Sequence, residues 1–124
     1  MALKEYVGSI SLEVDGVEVE VATVSPKTNT GRRPVKTMNR LRNIAGFSRG
    51  IKTYDLRVTA VIPIEGSPLD WDNIEGAKLT IDPGDGGQRV SYLDCFSTDV
   101  GEEYQAEGEA RRDISLVAVR KVTE

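Results

Sequence analysis

The sequence predicts a mainly β fold: an antiparallel β-sandwich or partly closed barrel, with one short flanking helix and a long loop after the second strand. Apolar residues recur with a period of two in separate stretches along the chain. Between these stretches stand turn-forming clusters such as Asp15-Gly16 and Asp82-Pro83-Gly84-Asp85-Gly86-Gly87, which join neighbouring strands into antiparallel hairpins. The length, 124 residues, suits a single domain over 1–124 that buries enough apolar surface to fold without disulfides or metal.

The first element is a hairpin over residues 10–21. Ile10, Leu12 and Val14 alternate with polar residues, Asp15-Gly16 supplies the positive φ angles of a type I′ turn, and Val17, Val19 and Val21 alternate with Glu18 and Glu20. The valines mark a core face and the glutamates a wet one. A strand of about nine residues follows at Tyr54–Ile62, where Tyr54, Leu56, Val58, Ala60 and Ile62 alternate until Pro63 removes a ladder N–H. Ser67 as N-cap, Pro68 at the first helical position and Gly76 as a stop predict a two-turn helix over 68–75. Its Trp71 and Ile74 share the side that packs on the sheet.

Ala77, Leu79 and Ile81 then predict a strand, and Arg89–Phe96 its hairpin partner. Residues 97–112, acidic and glycine-containing, read as a loop with a strand around Tyr104. Asp113–Val122, apolar on both faces, reads as a closing strand in the middle of a sheet. This makes five or six strands in all.

Composition removes much of enzymology. There is no histidine and one cysteine, Cys95, so Ser-His-Asp and Cys-His nucleophiles, HExxH zinc sites and multi-cysteine metal knuckles are excluded. Cys95 follows Leu93 in an alternating strand, where a buried, inert thiol is expected. Gly46-Phe47-Ser48-Arg49-Gly50 lacks the Lys-Ser/Thr of a phosphate loop, and Asp82, Asp85 and Asp94 lack calcium-loop spacing. Glu102, Glu103, Glu107 and Glu109 read as a solvated acidic face rather than a catalytic pair. Neither a basic n-region with an apolar core nor an 18-residue apolar run is present, so the expected place of synthesis is the cytoplasm, with no membrane partner. No catalytic, cofactor-binding or metal residues are assigned, and no cofactor is expected.

Charge is distributed unevenly. The formal net charge is −4, but the stretch from Lys27 to Arg57 carries nine cations against Asp55 alone, or +8, while seven cations and nineteen acids elsewhere give −12. A basic middle with acidic flanks fits an acidic partner, a nucleic acid or another copy of the chain. Residues 26–50 form the long basic loop. Its Val35, Met38, Leu41, Ile44, Ala45 and Phe47 are too apolar for a disordered arm. Two forms fit: a short helix capped by Thr37, with Met38, Leu41 and Ala45 on one face, or an extended arm. The helix has the further option of covering an open end of the domain's own core. Apolar anchors in a basic rim suit protein–protein contact. For nucleic acid the segment offers only Phe47 as a stacking aromatic.

The order of features is itself informative: the Asp-Gly hairpin, the loop Gly31-Arg32-Arg33-Pro34-Val35-Lys36-Thr37-Met38-Asn39-Arg40, Gly46-Phe47 before a strand, the Leu69-Asp70-Trp71 helix and the closing strand after Gly108-Glu109-Ala110-Arg111-Arg112-Asp113. In this layout the chain resembles the tail tube proteins of tailed bacteriophages, a family similar to the ring proteins of type VI secretion. The resemblance implies a virion protein, not an enzyme, assembling with itself into hexameric rings stacked head to tail. The rings form a tube through which DNA passes without specific binding. It also implies partners among other tail proteins: sheath if the tail is contractile, baseplate and terminator. Residues 26–50 become the stacking loop, with Arg32, Arg33, Lys36, Met38, Arg40, Leu41, Arg42, Ile44, Phe47 and Arg49 as the assembly interface. Glu18, Glu20, Lys52 and Arg57 become candidates for the lumen. The alternative is a small nucleic-acid-binding or tail-accessory module, of baseplate or completion type, using the same basic loop.

Overall fold

The computed structural model describes residues 3–64, 70–84 and 87–123. Among these, ten strand segments form: β1 (Ser11–Val14), β2 (Val17–Val19), β3 (Val21–Asn29), β4 (Arg32–Val35), β5 (Gly46–Arg49), β6 (Thr53–Val61), β7 (Glu75–Asp82), β8 (Val90–Glu103), β9 (Arg111–Ala118) and β10 (Arg120–Thr123). The main sheet is antiparallel, in the order β2-β1-β7-β8-β9-β6-β3, with β10 also on β8; β4 and β5 pair only with each other.

Connectivity forces this sheet to curl. Its edge strands β2 and β3 are consecutive in sequence and joined by Glu20 alone. In a flat sheet seven strands wide those edges would lie about 29 Å apart, whereas a one-residue link spans at most about 7 Å. The result is a half-barrel, the partly closed form of the predicted fold.

The Asp-Gly turn forms as its residues dictate, with φ of 52° at Asp15 and 83° at Gly16, pairing Leu12 with Val19. The turn is also clamped to β7, since Asp15 N–H donates to the Lys78 carbonyl (2.9 Å) and Lys78 N–H donates to Asp15 Oδ1 (3.0 Å). Val19 is buried, but Val17 stays exposed beside the turn, so the valine face is only partly core.

The inner face of the half-barrel is the core. Tyr54, Leu56, Val58 and Ala60 of β6 and Ile114, Leu116 and Ala118 of β9 are buried in strict alternation, and Leu12, Val14, Leu79, Tyr92 and Cys95 complete it. Each fully buried aliphatic side chain stabilises the fold by about 1.5–3 kcal/mol. Trp71 and Ile74 close the core as predicted, both buried. Thr80 and Ser91, buried and paired across β7 and β8, satisfy each other through a hydroxyl hydrogen bond of 3.2 Å.

Several expectations are corrected. The helix over 68–75 is a single 3-10 turn, Trp71–Asn73, among the described residues; Ser67, Pro68 and Leu69 lie outside them. Asp70 is the cap, its Oδ1 accepting from Asp72 N–H (3.2 Å) and its Oδ2 from Asn73 Nδ2 (2.6 Å). Ile74 is already extended and Glu75 starts β7, so the chain passes from the turn into the sheet before a second turn closes. Gly76, read as a helix stop, instead sits at φ 71° in a register shift of β7. The stretch read as a loop from residue 97 is mostly strand, because β8 runs to Glu103 alongside β9 and ends just before Tyr104. The closing strand is two segments on one line along β8, bent at Val119, whose N–H still donates to the Leu93 carbonyl (3.1 Å).

Candidate assembly surface

The long basic segment is neither helix nor core cover. Residues 21–61 form one long hairpin. Its base is the β3–β6 ladder, from Val21↔Ala60 to Asn29↔Thr53, and its outer part is β4–β5, from Arg32↔Arg49 to Val35↔Gly46. β4 and β5 are exposed along their whole length. Of the two forms the sequence left open, the extended arm is the one adopted. Met38, Leu41 and Ile44 are all exposed, Met38 fully, so among the described residues no second surface receives a helical apolar face here.

Base and arm meet at two glycines. Gly50 N–H donates to the Gly31 carbonyl (2.8 Å), Gly31 has φ 77°, and a Cβ on it would lie 2.4 Å from the Ile51 carbonyl oxygen. Asn29 Oδ1 also accepts from Gly31 N–H (3.0 Å). At the tip, Asn39 organises residues 36–45. Its Nδ2 donates to the carbonyls of Thr37 (3.2 Å) and Asn43 (2.7 Å), and its Oδ1 accepts from Asn43 N–H (3.2 Å). Arg42, at φ 57°, donates its N–H to the Asn39 carbonyl (3.1 Å), and Ala45 N–H donates to the Val35 carbonyl (2.9 Å). The side-chain amide does locally what a helix would otherwise do for these backbone groups.

The predicted assembly residues are therefore together on one projection. Arg32, Arg33, Phe47 and Arg49 lie on its strands, and Lys36, Met38, Arg40, Leu41, Arg42 and Ile44 on its tip. Arg32 and Arg49 stand directly opposite each other, a repulsive pairing, and both guanidinium groups lean over Phe47, at 6.0 and 5.8 Å from its ring centroid. Residues 30–51 hold six cations and no acid. The organising residues Asn39, Gly31 and Gly50 were not singled out from the sequence; the glycines bracketing the basic run are the signal that would have found them.

The opposite end of the same ladder is acidic. Glu103 pairs with Arg111, Arg111 with Val61, and Ile62 N–H donates to the Ala110 carbonyl (3.0 Å). Thus Glu102 and Glu103 at the end of β8, and Glu107 and Glu109 in the 104–110 connection, lie at the far end of β6 from the arm. Glu18 and Glu20 join this end, lining one groove with Glu109. Arg111 pairs with Glu109 (2.6 Å) and Arg112 with Glu102 (3.6 Å). Glu109's own backbone N–H, and then Arg111, hold its carboxyl below the usual range.

The four lumen candidates are spread along the sheet. Glu18 and Glu20 sit at the acidic end, Lys52 lies by the arm root with Nζ 5.7 Å from the Tyr54 ring centroid, and Arg57 lies mid-sheet. Arg57 stands on the outward face of β3-β6-β9-β8, in a row reading Ser25, Arg57, Ser115, Asp99. The next row reads Thr23, Thr59, Asp113, Gly101, with Thr59 Oγ1 donating to Asp113 Oδ1 (3.1 Å).

The sequence matches no family model and no curated relative. The structure does have counterparts. A chain in the sheath/tube terminator of the PVC extracellular contractile injection system, in its extended state, superposes with a TM-score of 0.71 at 14% identity, covering 99% of this chain and 98% of that one. The chain shares the fold of that terminator chain. A chain of the anti-feeding prophage cap, the tube-terminating cap, matches with a TM-score of 0.70 at 11% identity over 100% and 94% of the two chains. A chain of the PVC sheath–tube complex matches with a TM-score of 0.67 at 14% identity over 93% and 87%. The shared fold therefore spans essentially the whole length of the chain.

Proposed function

We propose that this chain is a structural tail protein that assembles with itself into hexameric rings stacked head to tail, forming a tail tube that conducts DNA during ejection. The observation that carries the reading is the polarity of one ladder: a basic, apolar-tipped arm at one end and a carboxylate-rich end at the other. A surface that is complementary to a different part of its own chain makes a heterologous contact, which propagates into stacks and filaments instead of closing as a two-fold dimer. The arm by itself is a two-stranded ribbon without a core, and such ribbons are at best marginally stable in water. Ordering each residue costs on the order of 1–2 kcal/mol, which contact with a second copy offsets.

The fold shared with tube and terminator proteins supports a structural role in a tail, alongside other tail components. The outward rows of serine, threonine and mixed charge on β3-β6-β9-β8 offer the lumen wall: they hold few cations to retain phosphate, and Arg57 stands among Asp55, Asp99 and Asp113. Sedimentation velocity of the purified chain over a concentration series tests the proposal. Species larger than a single ring are expected, and a chain that stays monomeric throughout contradicts it.

One observation favours the nucleic-acid reading as second: Phe47, exposed between Arg32 and Arg49, is a minimal stacking platform. It predicts retardation of single-stranded DNA at low salt that is lost on Phe47→Ala.

A further inference from the structure

The groove at the acidic end is built for more than solvent. Glu18, Glu20 and Glu109 form its rim, while Ile62, Pro63 and Trp71 contribute an apolar wall and floor, in a volume of about 490 Å³. It lies where the β2–Glu20–β3 link draws the two sheet edges together, so the curl of the half-barrel creates it. Arg111 already occupies Glu109, but Glu18 and Glu20 make no ion pair among the described residues. Among the described residues no cation lines the groove, and no unpartnered buried polar group belongs to its lining to orient a small polar ligand. What matches an apolar slot between uncompensated carboxylates is an apolar side chain flanked by cations.

The chain itself presents that pattern: Met38 and Leu41, exposed, alternate with Arg40 and Arg42 at the arm tip. The tip stands at the other end of the β3–β6 ladder, too far for its own groove but placed for the groove of a second copy shifted along the strand direction. We propose that the groove bounded by Glu18 and Glu20 is the acceptor for the arm tip of a second copy, with Met38 and Leu41 entering against Ile62 and Pro63 while Arg40 and Arg42 meet the two glutamates. This assignment rests on the head-to-tail reading above and adds the receiving site to it. The cations steer and select, and the buried apolar contacts hold.

The test is charge reversal with recovery, read by pelleting of the full-length chain. The arm variant Arg40→Glu/Arg42→Glu and the groove variant Glu18→Lys/Glu20→Lys each raise the concentration needed for pelleting by about tenfold or more. The chain carrying all four substitutions returns towards wild-type behaviour. All three are checked for an unchanged melting temperature, which the exposed positions of these side chains predict. Wild-type chain that never pellets overturns the stacking reading and the groove with it. Wild-type chain that pellets, with a groove variant that pellets equally well or a fourfold variant that recovers nothing, overturns the groove alone.

Discussion

Gly31 and Gly50 meet backbone to backbone at the root of the arm, with the Gly50 N–H on the Gly31 carbonyl at 2.8 Å and no room for a Cβ on Gly31 beside the Ile51 carbonyl. The contact joins the arm to the body and sets its direction. Gly31→Ala places a side chain at φ 77°, which alone costs roughly 1–2 kcal/mol, and adds a backbone clash. Hydrogen exchange on the variant is expected to show faster exchange at Phe47–Arg49 with the amides of β6 and β9 unchanged. Unaltered arm protection contradicts the role given to this contact.

Arg40→Glu, Arg42→Glu and Arg49→Glu together replace three cations of the arm with carboxylates that, in the proposed stack, face the acidic end of a neighbour. Assembly is expected to be lost while the circular dichroism spectrum and melting temperature of the body stay as in wild type. Retained stacking shows that the arm is not the polymer contact.

Salt acts on the same attraction. Raising ionic strength from 0.15 M to 1 M shortens the screening length from about 8 Å to about 3 Å. Light scattering at fixed protein concentration is expected to fall over that range, steeply if charge dominates the contact and shallowly if Met38 and Leu41 do. A rise throughout contradicts an electrostatic contribution.

Leu79 has no exposed surface and lies in the centre of the inner face. Leu79→Ala is expected to cost about 2–5 kcal/mol through lost burial and a cavity, measured by urea denaturation. A cost below 1 kcal/mol means that the half-barrel core is looser than its packing indicates.

Cys95 is buried, its thiol donating to the Tyr92 carbonyl at 3.2 Å. Burial pushes its pKa up from 9.0 to about 11, outweighing the Leu79 backbone hydrogen bond that opposes it. In the folded chain a thiol-specific reagent at pH 8 is expected to label Cys95 far more slowly than in urea. Because the folded value is the higher one, the unfolded chain releases this proton first. The contribution of Cys95 to stability is therefore complete below pH 9 and declines as pH rises towards 11.

What was readable in the sequence was local. Asp15-Gly16 announces its turn because few other pairs tolerate two positive φ values in succession, and β6 announces itself because Tyr54, Leu56, Val58 and Ala60 all face one core. β3 beyond Val24 gave no such signal: Ser25-Pro26-Lys27-Thr28 is exposed throughout and is held in the sheet by pairing with β6. Pro26 is tolerated there because β3 is an edge strand. Over Met38, Leu41 and Ala45 a helical period was present, but amphipathicity specifies a helix only where a second surface receives it. The acidic stretch after Ser97 hid the far half of β8, whose register depends on β9. The grouping of Glu18 and Glu20 with Glu109 depends on the curl of the whole sheet, which no short window of sequence contains.

Negative-stain electron microscopy of the purified wild-type chain tests the central claim most directly. Six-fold rings in end view and regularly striated stacks in side view are expected, becoming more numerous with concentration. Only isolated particles of monomer size, at every concentration and salt, would contradict the account.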